Sequence, residues 1–330
     1  MTGVLPAKRI CVIIPAYNAE ATITDAVKSA LAQPLVSEVV VIDDASNDAT
    51  GKTARKAGQE DERLKILRPE ENIGPAAGRN LAIANSSAPF IAILDADDYY
   101  LPDRFAFLPD QGAWDIAADN VLFVPEAREC PVAPGDIDRG NVRALEMLTL
   151  EEFIRGNIPH PKATRSELGF LKPVISRAFL QTHGLSYDET LRLGEDCDLY
   201  IRMLLHGANF GVSSRVGYVA RVRPDSLSGR HRGKDLEALL TASLRYPHQD
   251  LDPETRSILN DYLAHLRRRH WLHAFLEIKQ ERGMKEALHF ATRSLPAFSA
   301  ISRGVVRDKI HAAWPGSKDI PPARYLLSPK

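Results

Sequence analysis

Pro89-Phe90-Ile91-Ala92-Ile93-Leu94-Asp95-Ala96-Asp97-Asp98 is an apolar run that stops on three carboxylates within four residues. The run is short and shows no polar alternation. It reads as a strand, Pro89 to Leu94, buried on both faces. The same form recurs toward the N-terminus. Arg9 to Ile14 is a β-branched run closed by Pro15-Ala16-Tyr17-Asn18, and Glu38 to Ile42 is cut off by Asp43-Asp44. Leu64 to Leu67 is a shorter strand. Helical spacing fills the gaps. Ile23, Ala26, Val27, Ala30 and Leu31 predict an amphipathic helix over Ala21 to Gln33, with Pro34 beyond it. Thr50 to Gly58 and Gly78 to Ala84 read as two more helices. Buried strands alternating with helices predict an α/β fold with a parallel sheet covered on both faces. Ligands of such sheets gather at the carboxyl ends of the strands. Tyr17-Asn18, Asp43-Asp44 and Asp95/Asp97/Asp98 therefore converge on one edge.

The rest of the chain is less regular. Residues 110–165 carry Pro125, Pro131, Pro134, Pro159 and Pro161, with one strand at Val121 to Val124 and a short helix near Glu151. Apolar character resumes from Leu171 to Leu180. Glu195 to His206 reads as a helix, with Gly207 following its end. From Asp235 onward helical patterns dominate. Leu259, Tyr262, Leu263 and Leu266 form one stripe, and Leu272, Phe275 and Leu276 form a second of shifted phase. The expected division is an α/β domain over 1–230 and a helical region over 231–330.

The 330 residues are 44% hydrophobic and 26% charged, which excludes a collagen-like, low-complexity or disordered chain. No apolar run is long enough to span a bilayer, and Met1 to Lys8 does not read as a signal peptide. Cys11, Cys130 and Cys197 lie far apart with no CxxC pair, which fits a reducing cytoplasm. Charge is uneven. Residues 1–220 hold 22 Lys and Arg against 31 Asp and Glu; residues 221–330 hold 20 against 12. A basic tail fits an anionic partner such as a membrane surface, or is simply a solvated surface. The one dense basic run, Arg267 to Arg269, is too short and too poor in interleaved aromatics for a nucleic-acid binder. His265, His270 and His273 belong to a basic helical face and lack the arrangement of a metal site.

Each motif has a plain and a chemical reading. Asp95-Ala96-Asp97-Asp98 is either a solvated acidic turn or a set of oxygen ligands for Mg²⁺ or Mn²⁺ shared with a substrate phosphate. Asp43-Asp44 either caps the turn that follows or accepts hydrogen bonds from a base or ribose. Tyr17 offers a face on which a base stacks. Asn72 to Asn80 is a Gly-containing loop entering a helix, where backbone N–H groups and Arg79 suit a diphosphate. It is neither a dinucleotide fingerprint nor a Walker loop. Glu195-Asp196-Cys197-Asp198 opens a helix, where acidic residues also suit the helix dipole; the chemical reading is a general base.

Together these stretches resemble the inverting family 2 glycosyltransferases with a GT-A fold. The matching residues are Val12-Ile13-Ile14-Pro15-Ala16-Tyr17-Asn18, Val41-Ile42-Asp43-Asp44-Ala45-Ser46, Asn72-Ile73-Gly74 with Gly78-Arg79-Asn80, Ile93 to Asp98 followed by Leu101-Pro102-Asp103-Arg104, and Gly194-Glu195-Asp196-Cys197-Asp198-Leu199. They cover roughly residues 9–228. The resemblance implies a Rossmann-like, mixed, mostly parallel sheet flanked by helices, with a helical C-terminal extension. It implies that Pro15, Ala16, Tyr17, Asn18, Asp44, Gly78, Arg79, Asp95, Ala96 and Asp97 hold a nucleotide-sugar, with Tyr17 and Asp44 at the base and Asp95 near the ribose. Asp97 would ligate Mn²⁺ or Mg²⁺ through the diphosphate, with Asp98 in support. Asp196 would be the catalytic base, with Glu195 beside it or reading the acceptor. Where many relatives carry a histidine before the last Ser-rich turn, this chain has Arg223, which cannot ligate a metal and would neutralise diphosphate instead.

The implied reaction is transfer of a hexose, glucose first, from a UDP-sugar to a glycan or polyprenyl-diphosphate-linked acceptor. The implied setting is succinoglycan-like exopolysaccharide assembly at the inner face of the membrane. The tail would be a membrane contact, a cap or a dimer contact. Two other classes compete. A sugar-phosphate nucleotidyltransferase would place a Gly-rich basic loop after the first strand, where this chain has Pro-Ala-Tyr-Asn. A non-catalytic nucleotide-sugar binder would be expected to lose Asp97 or Asp196, and both are present.

Overall fold

The computed structural model describes residues 9–108, 114–125, 145–159, 167–222, 232–247, 251–313 and 323–327, with the backbone path alone for 307–313. Four parallel strands form one half of a single sheet: β1 (Ile10–Ala16), β2 (Val36–Asp43), β3 (Leu64–Leu67) and β4 (Phe90–Ile93), in the spatial order β3-β2-β1-β4. Ile10 to Ile14 are fully buried, as an uninterrupted apolar strand between covered faces must be. Helices α1 (Ile23–Leu31), α2 (Thr50–Ala57) and α3 (Gly74–Ala84) make the crossovers. Helix α1 turns Ile23, Ala26, Val27 and Ala30 into the core, the stripe its spacing predicts.

Beyond β4 the sheet becomes mixed. A short strand β5 (Tyr99–Tyr100), the long β6 (Ile116–Pro125), β7 (Glu146–Leu148), β8 (Val174–Ser176), β9 (Phe210–Val222) and β10 (Arg324–Tyr325) complete it. Strand β8 runs antiparallel between β4 and β6, while β9 runs parallel to β6 and carries β5 and β7 antiparallel to itself. Because β8 is reversed, its beginning lies at the edge where β4 ends. That inversion brings a segment far along the chain to the carboxyl edge of the parallel strands. Helices α4 (Leu150–Gly156), α5 (Arg177–Thr182) and α6 (Glu195–Leu205) complete the domain. Thr149 closes a capping box with Glu152 at the start of α4.

The C-terminal region is helical as expected: α7 (Gly233–Ser243), α8 (Pro253–Arg282), α9 (Met284–Ala291) and α10 (Leu295–Ala313). The two apolar stripes belong to one continuous 30-residue helix, α8. Their phase shift marks a change of partner. Leu259, Tyr262, Leu263 and Leu266 join Leu239 and Leu240 of α7 in the main core. Phe275 instead packs with Ala287, Ala291, Ala297 and Ile301 of α9 and α10 in a separate small core. The 230/231 boundary falls within 223–231, outside the described residues. No helix among the described residues is long and apolar enough to cross a membrane.

Candidate active site

Strand β1 ends at Ala16, paired with Asp43 at the end of β2. Pro15 and Ala16 are still in the strand, so Tyr17 is the first side chain clear of it, and it is 51% exposed. Asn18 takes a left-handed φ of 50° and is lashed to the next loop. Its amide donates to Ser46 Oγ at 3.0 Å, and its Oδ1 accepts from the Asn47 amide at 2.8 Å. Both acids after β2 are engaged by protein. Asp43 pairs with Arg68 and accepts from the Ser46 amide at 3.1 Å. Asp44 reaches some thirty residues along the chain to cap α3, accepting from Ile73 N at 2.8 Å and Gly74 N at 3.0 Å. Each Asp44 oxygen thus takes one amide and keeps further acceptor capacity.

The acidic turn follows β4. Asp95 and Asp97 are partly exposed, while Ala96 and Asp98 are buried. Asp98 accepts from the Tyr218 hydroxyl at 2.6 Å and from the Arg221 amide at 2.8 Å, both on β9. Burial first, and then the nearby charges of Asp95 and Asp97, push the Asp98 carboxyl well above the usual range. Three carboxylates thus crowd one turn. That is the condition a hard cation relieves. Among the described residues no three His, Cys, Asp or Glu side chains form a cage that would hold an ion alone. An ion at this turn would have to complete its shell from a bound ligand such as a diphosphate, with Asp97 the expected protein oxygen.

Behind Asp95 lies a buried charge cluster. Lys172, just before β8, places its Nζ 2.8 Å from Asp95 Oδ2 and 3.1 Å from Asp196 Oδ2. Arg79 of α3 pairs with Glu195 and lies 3.5 Å from Asp196 and 3.6 Å from Asp95. Asp196 and Glu195 sit in the first turn of α6, which Gly194 enters with φ +75°. Asp95 and Asp196, about a hundred residues apart, share two cations. Burial opposes the charged form of Asp196, but Arg79 and Lys172 outweigh it and hold the carboxyl below its usual range. Burial likewise opposes charge on Lys172, and Asp95 and Asp196 overcome it, so the ammonium stays protonated. Buried Asp196 Oδ1 has no hydrogen-bond partner among the described residues. The Tyr187 hydroxyl stands near Asp196 and helps hold it ionised, but in no geometry that closes a hydrogen bond.

Several placements differ from the sequence reading. Arg79 is not an open cation facing a diphosphate; three carboxylates surround it and it is 3% exposed. A Cβ on Gly78 would stand 3.5 Å from Ile42 Cγ2, so this glycine faces the sheet rather than the cleft. Arg223 lies outside the described residues.

Sequence reasoning missed Lys172, Tyr187, and a fully buried ion pair between Arg104 and Asp119 of β6. Arg104 Nη2 is 2.8 Å from Asp119 Oδ1, and Nε is 3.1 Å from Oδ2. Arg104 also donates to the Lys172 carbonyl and lies over the rings of Tyr100 and Tyr218, at 4.2 Å and 5.0 Å. Gly217 of β9 leaves room for the pair: a Cβ there would be 2.6 Å from Arg104 Cγ and would collide with Asp119. The signal for Lys172 was a single lysine inside an apolar run, since lysine is almost never buried without a partner.

Comparison with known proteins bears on the family and the fold. The profile of Glycosyl transferase family 2 matches residues 11–108. Across 335 aligned residues the chain is 43% identical to the Succinoglycan biosynthesis protein ExoU of Rhizobium meliloti (strain 1021), covering 99% of this chain and 97% of that one. The solved structure of S. aureus TarS 1-349 in complex with UDP-GlcNAc aligns with a TM-score of 0.62 at 21% identity, over 89% of this chain and 81% of the other. The Mannosyltransferase PcManGT from Pyrobaculum calidifontis, in complex with GDP-Man and Mn²⁺, aligns with a TM-score of 0.54 at 17% identity, over 94% and 88%. At those identities the two structures speak to the fold.

Proposed function

The chain belongs to glycosyl transferase family 2, and on that premise we propose an inverting transferase that moves a hexose, glucose first, from a UDP-sugar to a hydroxyl of a glycan or polyprenyl-diphosphate-linked acceptor. Its setting is succinoglycan-like exopolysaccharide synthesis, the role named for the R. meliloti relative. The observation that carries this reading is Asp196: buried, held ionised, with Oδ2 paired to Lys172 and Oδ1 buried without a hydrogen-bond partner among the described residues, in one cluster with Asp95.

The donor occupies the carboxyl edge of β1, β2 and β4. Tyr17 stacks on the base, Asn18 and Asp44 frame it, and Asp95 lies near the ribose. The UDP-GlcNAc complex of TarS supports a uridine donor in this fold. Asp97 would hold Mn²⁺ or Mg²⁺, which when bound offsets charge on the diphosphate; the Mn²⁺ complex of PcManGT supports that choice. Asp196 Oδ1 accepts the proton of the acceptor hydroxyl as that oxygen forms its bond to the anomeric carbon. The bond from that carbon to the diphosphate oxygen breaks on the opposite face, UDP leaves, and the anomeric centre inverts. No covalent sugar–protein bond is needed. Glu195, fixed by Arg79, lies beside the acceptor. The C-terminal helices contact the membrane that carries a lipid-linked acceptor. Leu288, Leu295, Phe298 and Val306 are exposed there, with Lys285, Arg293 and Arg303 exposed among them.

The test is transfer from radiolabelled UDP-glucose and other UDP-sugars to lipid-linked and soluble glycan acceptors in the presence of Mn²⁺. Asp196→Asn is expected to lower kcat by about 10²–10⁴-fold while UDP binding persists in calorimetry. Wild-type turnover by that variant, or product that retains the anomeric configuration, refutes the reading.

A further inference from the structure

We propose that Lys172 is a positioning residue for sugar transfer: its ammonium ties the donor-side carboxylate Asp95 to Oδ2 of the base Asp196, which fixes that carboxylate and leaves Oδ1 as its unpartnered oxygen. The inference rests on the reading of Asp196 as the base.

Fold and geometry lead to the same residue. Strand β8 is antiparallel to β4, with Ala92 opposite Val174. Continuing that register sets Lys172 opposite Leu94, one residue before Asp95. The side chain then needs to reach only across the edge, and Nζ lands 2.8 Å from Asp95 and 3.1 Å from Asp196. An ammonium has three donors in a tetrahedral spread, which suits a bridge between carboxylates on different elements. A free lysine stem is flexible, but this one is anchored. Its carbonyl accepts from Arg104 Nη2, and Arg104 is fixed by Asp119 with both side chains fully buried.

The groups around Asp196 among the described residues act together, Cys197 beside it on the same turn included. Arg79 comes from α3, Glu195 from the same turn of α6, Asp95 from the end of β4, and Tyr187 and Tyr200 from either side of the helix start. Three carboxylates share two cations, and Arg79 is also committed to Glu195. Without Nζ, two of the three carboxylates lack a full counter-charge and Asp196 Oδ2 is released. Burial then favours the protonated acid, and the carboxylate is free to rotate. Arg79 does not replace the lysine, because its closest approach to Asp196 is 3.5 Å and its short contact is with Glu195.

The experiment uses the full chain with Lys172→Met, Lys172→Arg and Asp196→Asn, assayed for sugar transfer across pH, with UDP affinity by calorimetry and folding by circular dichroism. The expected result for Lys172→Met is a kcat at pH 7 lowered about tenfold or more, with KM for the UDP-sugar little changed. The acid limb of its kcat/KM profile should move to higher pH by about one unit, because loss of the cation raises the affinity of Asp196 for a proton. Lys172→Arg keeps the charge and should return the limb toward wild type while recovering only part of kcat. A lysine with only a stabilising role would lower Tm and leave the limb in place. If the methionine variant does not fold, Lys172→Gln provides the same comparison. Wild-type kcat and limb in a folded Lys172 variant, beside an inactive Asp196→Asn, overturn this inference alone. Wild-type turnover by Asp196→Asn overturns the base assignment, and the inference with it.

Discussion

Asp119→Asn should unfold this protein more readily than its chemistry suggests. The substitution keeps shape and removes one charge. Arg104 and Asp119 are both fully buried, and three of their N–O approaches lie between 2.8 and 3.2 Å. With asparagine there, the guanidinium keeps one amide oxygen, the Lys172 carbonyl and the faces of Tyr100, Phe105 and Tyr218. None of these is a counter-charge. Breaking a buried pair by removing one partner costs about 3–5 kcal/mol. At about 2–4 °C per kcal/mol for a chain of this order of size, Tm should fall by at least about 6 °C. The assay is urea unfolding followed by far-ultraviolet circular dichroism, with refolding checked. The control is the double variant Arg104→Met with Asp119→Leu. It removes both charges and leaves mainly the Lys172 carbonyl without its donor, a cost of about 1–3 kcal/mol. The double variant should therefore be more stable than Asp119→Asn. A loss below about 1 kcal/mol for Asp119→Asn would refute the reasoning, as would a double variant that costs the sum of its singles.

Tyr17→Ala should leave stability within about 0.5 kcal/mol, since the ring is half exposed, while weakening UDP binding about tenfold through lost stacking, read by calorimetry. Gly74 and Gly194 both have positive φ, but only Gly194 is also crowded, with Leu239 Cδ2 2.8 Å from a built Cβ. Gly74→Ala should thus cost about 1 kcal/mol from backbone strain alone, and Gly194→Ala clearly more, with transfer impaired because Glu195 and Asp196 follow directly; equal costs in thermal melts would contradict this. Leu295→Asp combined with Phe298→Asp should reduce co-sedimentation with phosphatidylglycerol vesicles more than about tenfold and leave UDP affinity unchanged; retention of full binding would remove these helices from the membrane contact.

Which of these residues the sequence reveals depends on how local their reasons are. Strands β1, β2, β3 and β4 are legible because each is an apolar run closed by a polar stop, and the same stops mark the ligand edge. Helix α3 begins at Gly74, four residues before the expected Gly78. Pro75 suits a first turn, but the cap is Asp44, thirty residues upstream, and no local pattern shows it. Strand β9 was missed altogether because Gly211, Ser213, Ser214, Arg215 and Gly217 break its alternation. Gly217 is there to pass Arg104 and Asp119, and Arg221 reaches forward to Asp25 and the Asp97 carbonyl. Asp196 was legible as a chemical residue because its motif is contiguous. The groups around it are not contiguous: Lys172 comes from just before a reversed strand, Arg79 from a crossover helix, and Asp95 from the turn after β4. The motifs name the groups proposed to react, whereas the reversal of β8 beside β4 brings Lys172 to them. A variant search confined to the motifs would therefore pass over Lys172, Arg104 and Asp119, where loss of one charge is expected to move both the base and the fold.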